Sequence, residues 1–368
     1  MKKSLKLKRL WLLAFAPAAL ILNLAASNNS AFAEWYAVTI YPILSQGVNA
    51  ATSLLPFSLA EILIFLFILS IVLYLILYVI KIIKNKGERV KSGLKCLINL
   101  TCFACVLYFA FTISCGINYD RYSFAQTSGL VVKPSSKAEL TGLCSELADD
   151  VNALRKKEKT DSKSVTKLSD PNIYETAKQA QKAFEKISTD YPLLRAGYGQ
   201  PKLVFCSRLM SYCNIAGIFI PFTFEANINV DVPSYSIPAT MCHELSHLRG
   251  FMREDEANFI GYLVCKKSDD TDFQYSGKML AFIHASNALD DIDRNAANQI
   301  FAKLSDGVKR DLADNSAYWK QFEGPVSNIS TTVNNSYLKA NSQEDGVKSY
   351  GRMVDLLLAE YRAEKEVG

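Results

Sequence analysis

The sequence predicts a mainly helical protein with a small β element. An N-terminal bundle of transmembrane helices fills residues 1–117, and one α+β domain outside the cytoplasm fills residues 118–368. Three observations carry this expectation. Long apolar runs crowd into the first third of the chain. The later segments repeat apolar residues every three or four positions, and the strand-like runs fall together between residues 201 and 230. At 368 residues, 49% of them hydrophobic, the chain is long enough for both parts.

The first apolar run, residues 10–26, follows the basic stretch MKKSLKLKR. Ala31-Phe32-Ala33 has the small-x-small pattern of a signal-peptidase site, so this run is either a cleaved leader or a retained span. The retained span is the reading adopted here, and both readings place Glu34 onward outside. Residues 58–83 and 96–117 are each long enough to cross a bilayer. From the end of the first of these runs to the start of the second lie Lys81, Lys84, Lys86, Arg89, Lys91 and Lys95 against the single acid Glu88, whereas the loop 34–56 has no Lys or Arg. The positive-inside rule then gives an inside N-terminus, a basic inside loop near residues 84–95, and an outside location for everything beyond Asn118. The net charge of +5 sits mostly beside the apolar runs, with no basic stripe interleaved with aromatics. That pattern fits a bilayer and excludes a nucleic-acid partner. Of nine cysteines, five fall in the exported part; the odd number argues against a full disulfide framework, although Cys206 and Cys213 could pair across a turn.

Beyond the spans, residues 137–159 read as an amphipathic helix on Leu140, Leu143, Leu147, Val151 and Leu154. A polar linker, KTDSKSVTKLSD, precedes a second helix over residues 171–188. Strands are expected at 201–205, 215–220 and 225–230, then a helix with Ser236 as N-cap and Pro238 in its first turn. Further helices are expected at 276–287, 290–304, 306–321 and 353–362. His284, within the first of these, reads as a surface or core residue.

Chemistry concentrates between Pro238 and Lys267. His243, Glu244 and His247 form H-E-x-x-H, and two of the chain's three histidines are this pair. Positions i and i+4 share a helix face, so two imidazoles can point at one metal ion. Glu244, one residue after the first imidazole, can take a proton from a water that the metal activates. Imidazole and carboxylate ligands suit Zn2+, and a catalytic zinc keeps three protein ligands. Gly250 is placed to end this helix, and acidic residues open the next. Glu254 is read as the third ligand and Asn258, on the same face, as a partner for a ligand side chain. Glu256, about 160° away around the helix, is the substitute ligand if the turn at Gly250 is built differently. Glu225-Ala226-Asn227 lies on a strand shortly before the metal helix, where an exposed edge can hold a peptide backbone. Tyr350 and Arg352, outside the metal helices, are candidates to stabilise a tetrahedral oxyanion.

HELSHLRGFMREDEANF, with IAGIFIPFTFEANIN before it and ANSQEDGVKSYGRMVDLLLAEY near the end, resembles a family of bacterial membrane proteins of unknown function that are regarded as zinc peptidase candidates. The resemblance extends from the first hydrophobic segment to the C-terminus and implies that this segment is retained as a span. His243, Glu244, His247 and Glu254 resemble the arrangement of gluzincins, in which a Glu on a second helix completes the zinc site, and Glu225-Ala226-Asn227 resembles their edge-strand motif. Gluzincins commonly carry Asp four residues after that Glu; Asn258 keeps the hydrogen bond and removes the charge. The H-x-x-G spacing is also similar to metzincins, but their third histidine would fall at Arg253, which excludes them. The resemblance implies a zincin-like fold, one Zn2+, a peptide or protein substrate, and a multi-pass protein of the bacterial cytoplasmic membrane. The alternative is a receptor or assembly protein on the same scaffold without turnover, against which the intact Glu244 argues.

Overall fold

The structure, a computed structural model, describes residues 9–84, 87, 89–341, 343 and 352–367. A 3-10 turn (Leu10–Ala14) runs into α1 (Phe15–Asn28). Asn29 then caps α2 (Ser30–Thr39) by accepting the Phe32 amide, and α3 (Tyr41–Ser53) follows with a proline in its first turn. The rods α4 (Leu59–Lys84) and α5 (Arg89–Ser114) come next. Three helical segments, Leu10–Asn28, Leu59–Lys84 and Arg89–Ser114, are long and apolar enough to cross a membrane. The apolar window of α4 is entirely uncovered by the rest of the chain. The third rod begins earlier and ends earlier than the run 96–117 suggests. The basic residues 89–95 form its first turns, and the chain breaks from helical geometry at Cys115 before a 3-10 turn (Gly116–Asp120).

The stretch between the first two rods is not a loop of the membrane region. Helices α2 and α3 pack on the domain that follows α5. Tyr41, fully buried, donates its hydroxyl to the carbonyls of His247 (3.3 Å) and Leu248 (3.2 Å). The Asn49 carboxamide bridges the Phe224 carbonyl and the Gly199 amide, both at 2.8 Å. Arg121, just beyond α5, pairs with Glu34 at 2.9 Å.

A short α6 (Phe124–Ser128) leads to α7 (Lys137–Arg155), which opens with a reciprocal Ser136–Glu139 capping box. This helix stops short of Lys159 because the polar linker folds as a hairpin. β1 (Lys159–Thr160) pairs antiparallel with β2 (Thr166–Lys167), and the Asp161 carboxylate accepts the Lys163 and Val165 amides inside the turn. After α8 (Ile173–Ile187) come β3 (Lys202–Leu203), α9 (Ser207–Tyr212), β4 (Gly217–Ile220) and β5 (Glu225–Ile228). The sheet order is β3-β5-β4, with β5 parallel to β3 and antiparallel to β4. Helices α10 (Ile237–Leu248), α11 (Glu254–Lys267) and α12 (Thr271–Ile292) pack in sequence. α13 (Arg294–Ala302), α14 (Asp306–Lys320), α15 (Pro325–Ala340) and α16 (Met353–Val367) complete the domain. The apolar centre lies around α11, with Phe251, Phe259, Phe273 and Tyr275 fully buried. All nine cysteines are free thiols, so Cys206 and Cys213 do not pair.

Two expectations for the strands change. The three-residue segment Glu225-Ala226-Asn227 lies on the central strand of the sheet, not on an edge. Its polar side chains project together, as residues i and i+2 do, toward the start of α4. Glu225 accepts the amides of Leu59 (3.1 Å) and Ala60 (2.7 Å), and Asn227 accepts the Ser58 hydroxyl (2.6 Å). A buried carboxylate therefore caps the N-terminus of the second membrane-length rod, where the helix dipole favours negative charge. Ala226 lies opposite Phe219 in the register and is buried. Glu225→Ala is expected to lower the unfolding free energy by about 2–3 kcal/mol, the cost of stripping a charged acceptor from two helix-end amides. Thermal unfolding of the detergent-solubilised protein measures it, and an unchanged midpoint would contradict the capping role.

Candidate metal centre

The site begins with the helix that carries the two histidines. Pro238 sits in the first turn of α10 and Ser236 is its N-cap residue, but without a side-chain capping bond: its hydroxyl donates to the Pro233 carbonyl, and the Ala239 amide is satisfied by Ser276 Oγ from α12 at 2.9 Å. One helical turn apart on α10, His243 and His247 bring their Nε2 atoms to 3.0 Å. Each ring is oriented from its other nitrogen. His243 Nδ1 lies 2.8 Å from Asn258 Oδ1, and His247 Nδ1 lies 2.8 Å from the Phe251 carbonyl. Oxygen acceptors at both Nδ1 positions fix protons there, so that in the neutral imidazoles the two Nε2 lone pairs converge.

The turn between α10 and α11 supplies the third group. Gly250 adopts φ +87°, its amide donates to the His247 carbonyl (2.9 Å), and the Phe251 amide donates to the Ser246 carbonyl (3.2 Å). A β-carbon at Gly250 would also lie 3.2 Å from the Tyr41 ring. The chain reverses there, and Glu254, first residue of α11, places Oε2 3.2 Å from His243 Nε2 and 3.7 Å from His247 Nε2. His243, His247 and Glu254 each offer one ligand atom, all within 4.8 Å of one another, so the group could hold a metal ion. Tetrahedral coordination with bonds of ~2.0–2.1 Å separates ligand atoms by ~3.3–3.4 Å, and the observed spacings bracket that value. The donor set therefore fits. Electrostatics agree: burial lowers the His247 pKa, but the Glu254 carboxylate outweighs it and pushes the imidazole up to about 9. Burial raises the Glu254 pKa, and the two imidazoles reverse this and hold its carboxyl well below the usual range.

Glu256 is not a substitute ligand. It points away, accepting the Phe124 amide (2.8 Å) and the Arg253 guanidinium (3.2 Å). Asp255 faces Arg352 at 3.5 Å, so Arg352 is engaged on α11 and does not line the cavity at the histidines. Tyr350 lies outside the described residues. His284 is half-buried near His243, and burial, then that neighbour, push its pKa down to about 4.

Glu244 lies beside the ligand group, buried, with its carboxylate close against the backbone of β4 at Gly217. Burial raises its pKa against the opposing pull of His243 and His247. The contact with β4 depends on Gly217: a β-carbon there would sit 2.6 Å from Glu244 Oε1. Sequence reasoning missed Gly217, although a glycine inside a strand-like run signals close backbone approach. A cavity of about 800 Å3 opens over these groups, walled by β4, the histidine pair and Glu244 on one side. Tyr119 and Tyr337, whose hydroxyls are 2.9 Å apart, line it on another. Nothing local could have marked these two tyrosines, because the fold alone brings positions 119 and 337 together. Among the described residues the outer edge of β4 pairs with no strand, so the exposed edge at the cavity is β4, not the segment 225–227.

Fold and site together define a mainly helical protein with three membrane-length helices and a buried His-His-Glu group. The chain belongs to the family described as protein of unknown function (DUF3810), whose model matches residues 36–358. No curated protein and no solved structure matches it.

Gly217→Ala should force β4 and the Glu244 side chain apart. The unfolding free energy is expected to fall by about 1–3 kcal/mol, the usual cost of overpacking; an unchanged thermal midpoint would show that β4 and α10 tolerate the extra carbon.

Proposed function

We propose that this chain is a membrane-anchored, zinc-dependent metallopeptidase that hydrolyses peptide bonds outside the cytoplasm. The carrying observation is the position of the Glu244 carboxylate, which lies beside three convergent ligand groups on the wall of a cavity bordered by a free strand edge. The basic loop between the second and third apolar rods and the stretch 34–56, which has no Lys or Arg, support an outside location for the domain.

In this reading His243, His247 and Glu254 hold one Zn2+. Zinc, when bound there, would supply Lewis acidity, acidifying a water and polarising the scissile carbonyl. The remaining roles belong to the chain. Glu244 takes the proton of the attacking water and returns it to the leaving amine, a task suited to a carboxylate whose pKa burial raises. The close approach of β4 at Gly217 positions the Glu244 carboxylate for that transfer. Asn258 and the Phe251 carbonyl keep the imidazoles in register. The free edge of β4 offers backbone groups to an extended substrate. The hydroxyls of Tyr119 and Tyr337, which line the cavity, are placed to hold the oxyanion.

The test is Glu244→Gln in the purified full chain. One zinc per chain is expected to remain while chelator-sensitive cleavage of a peptide library falls by at least ~100-fold. A variant that cleaves at the parent rate would remove Glu244 from the mechanism, and absence of chelator-sensitive cleavage by the parent would favour a non-catalytic binder.

Protonation gives a second test. Because the metal-free His247 imidazole is held protonated up to about pH 9, zinc must displace a proton at neutral pH. The apparent affinity should fall about tenfold per pH unit below 9. Calorimetric titration in buffers of different ionisation enthalpy should detect release of about one proton; a pH-independent affinity would contradict this electrostatic picture.

A further inference from the structure

The cavity lies at one end of the membrane-length rod α5. Cys115, the first residue after α5, lines it together with His243 and His247. Across its mouth lies α15, and both ends of that helix are tied to the outer ends of membrane-length rods. At its end, the Tyr337 ring lies 6.1 Å from Phe111 in the last turn of α5. At its start, the preceding Phe322 packs on Tyr212 of α9 at 5.0 Å. α9 follows directly from residues 205–206, whose amides donate to Glu61 in the first turn of α4 at 3.0 and 2.8 Å.

On α15, Val326, Ile329, Val333 and Tyr337 fall within about 80° of one another around the axis, and all four are exposed. Asn328, Thr332 and Lys339 occupy the solvent sector, and Leu338 turns inward. The start of α4 carries a matching apolar collar: Leu54, Phe57, Phe205 and Phe222 are all exposed, Phe205 at 94%. The backbone of Phe205 is held at the first turn of a membrane-length helix, so its exposed ring lies level with the start of that helix. An exposed apolar patch tied to the ends of two such helices has one fitting occupant, the lipid surface.

We infer that the mouth of the cavity is seated on the bilayer, with α15 lying along the surface as an interfacial helix. The polypeptide it admits is the membrane-proximal segment of a membrane-anchored protein. The seating rests on geometry alone, whereas the substrate class rests on the peptidase reading above. A substrate held in the same bilayer also meets the cavity at a far higher effective concentration than a free peptide does.

Two measurements on the full chain in lipid vesicles test this. In a background with Trp11, Trp35 and Trp319 replaced by Phe, single tryptophans are placed by Phe205→Trp and Ile329→Trp. The control is Tyr174→Trp, at the end of α8 remote from Phe184, which packs on Arg249 at the close of α10. Lipids brominated on the acyl chains should quench the first two at least twofold more than the control; equal quenching overturns the seating. On the unaltered chain, a random peptide library is supplied with an N-terminal palmitoyl group or without one, on the same vesicles. Chelator-sensitive cleavage of the palmitoylated form should be at least about tenfold faster. Equal rates overturn the substrate class. Cleavage of neither form overturns the peptidase reading and the substrate class with it, and the quenching result then judges the seating by itself.

Discussion

Everything at the site depends on one chain reversal. Between Leu248 and Glu254 the backbone turns through the left-handed Gly250, and that turn decides which acidic residue meets the histidines. Rotation by two residues would present Glu256, whose actual partners are the Phe124 amide and Arg253. The turn is held on both sides. Tyr41 donates to carbonyls at the end of α10, and the Phe251 carbonyl that follows Gly250 accepts from His247. The same few residues thus end a helix, start another and orient a ligand ring.

This arrangement also explains why the segment between the first two rods belongs to the domain. Two of its polar side chains, Tyr41 and Asn49, supply hydrogen bonds to carbonyls of α10 and of Phe224. The sheet performs the complementary task at α4, where Glu225 and Asn227 receive the start of the rod. Membrane-length helices and the globular part are therefore joined by buried polar contacts, which are costly to break once desolvated. A domain fixed so closely to its helices keeps its cavity at one height relative to them.

Much of the fold was legible in the sequence where periodicity was strong. The apolar rods, α7, α8 and the turn at Gly250 follow from patterns confined to a few residues. Helix α15 escaped because its serine, threonine and asparagine content has weak intrinsic helix preference, and its apolar residues face outward. The stretch 159–170 looked like a linker because each strand of its hairpin is only two residues long. The placement of His243, His247 and Glu254 on one another needed only helix geometry and one glycine. The segment 225–227 was misplaced because strand order is a tertiary property: an edge and a central strand of that length read alike. Gly217, Tyr119 and Tyr337 act across the fold, so their meaning emerges only once β4, α5 and α15 are assembled.

The central claim is that one divalent metal sits between α10 and α11. X-ray absorption of the full chain purified in detergent without chelator, combined with elemental analysis, tests it most directly. The account predicts one zinc per chain with two imidazole nitrogens and carboxylate oxygen at ~2.0–2.2 Å. A chain that carries no stoichiometric metal, or a zinc surrounded by sulfur, would contradict it.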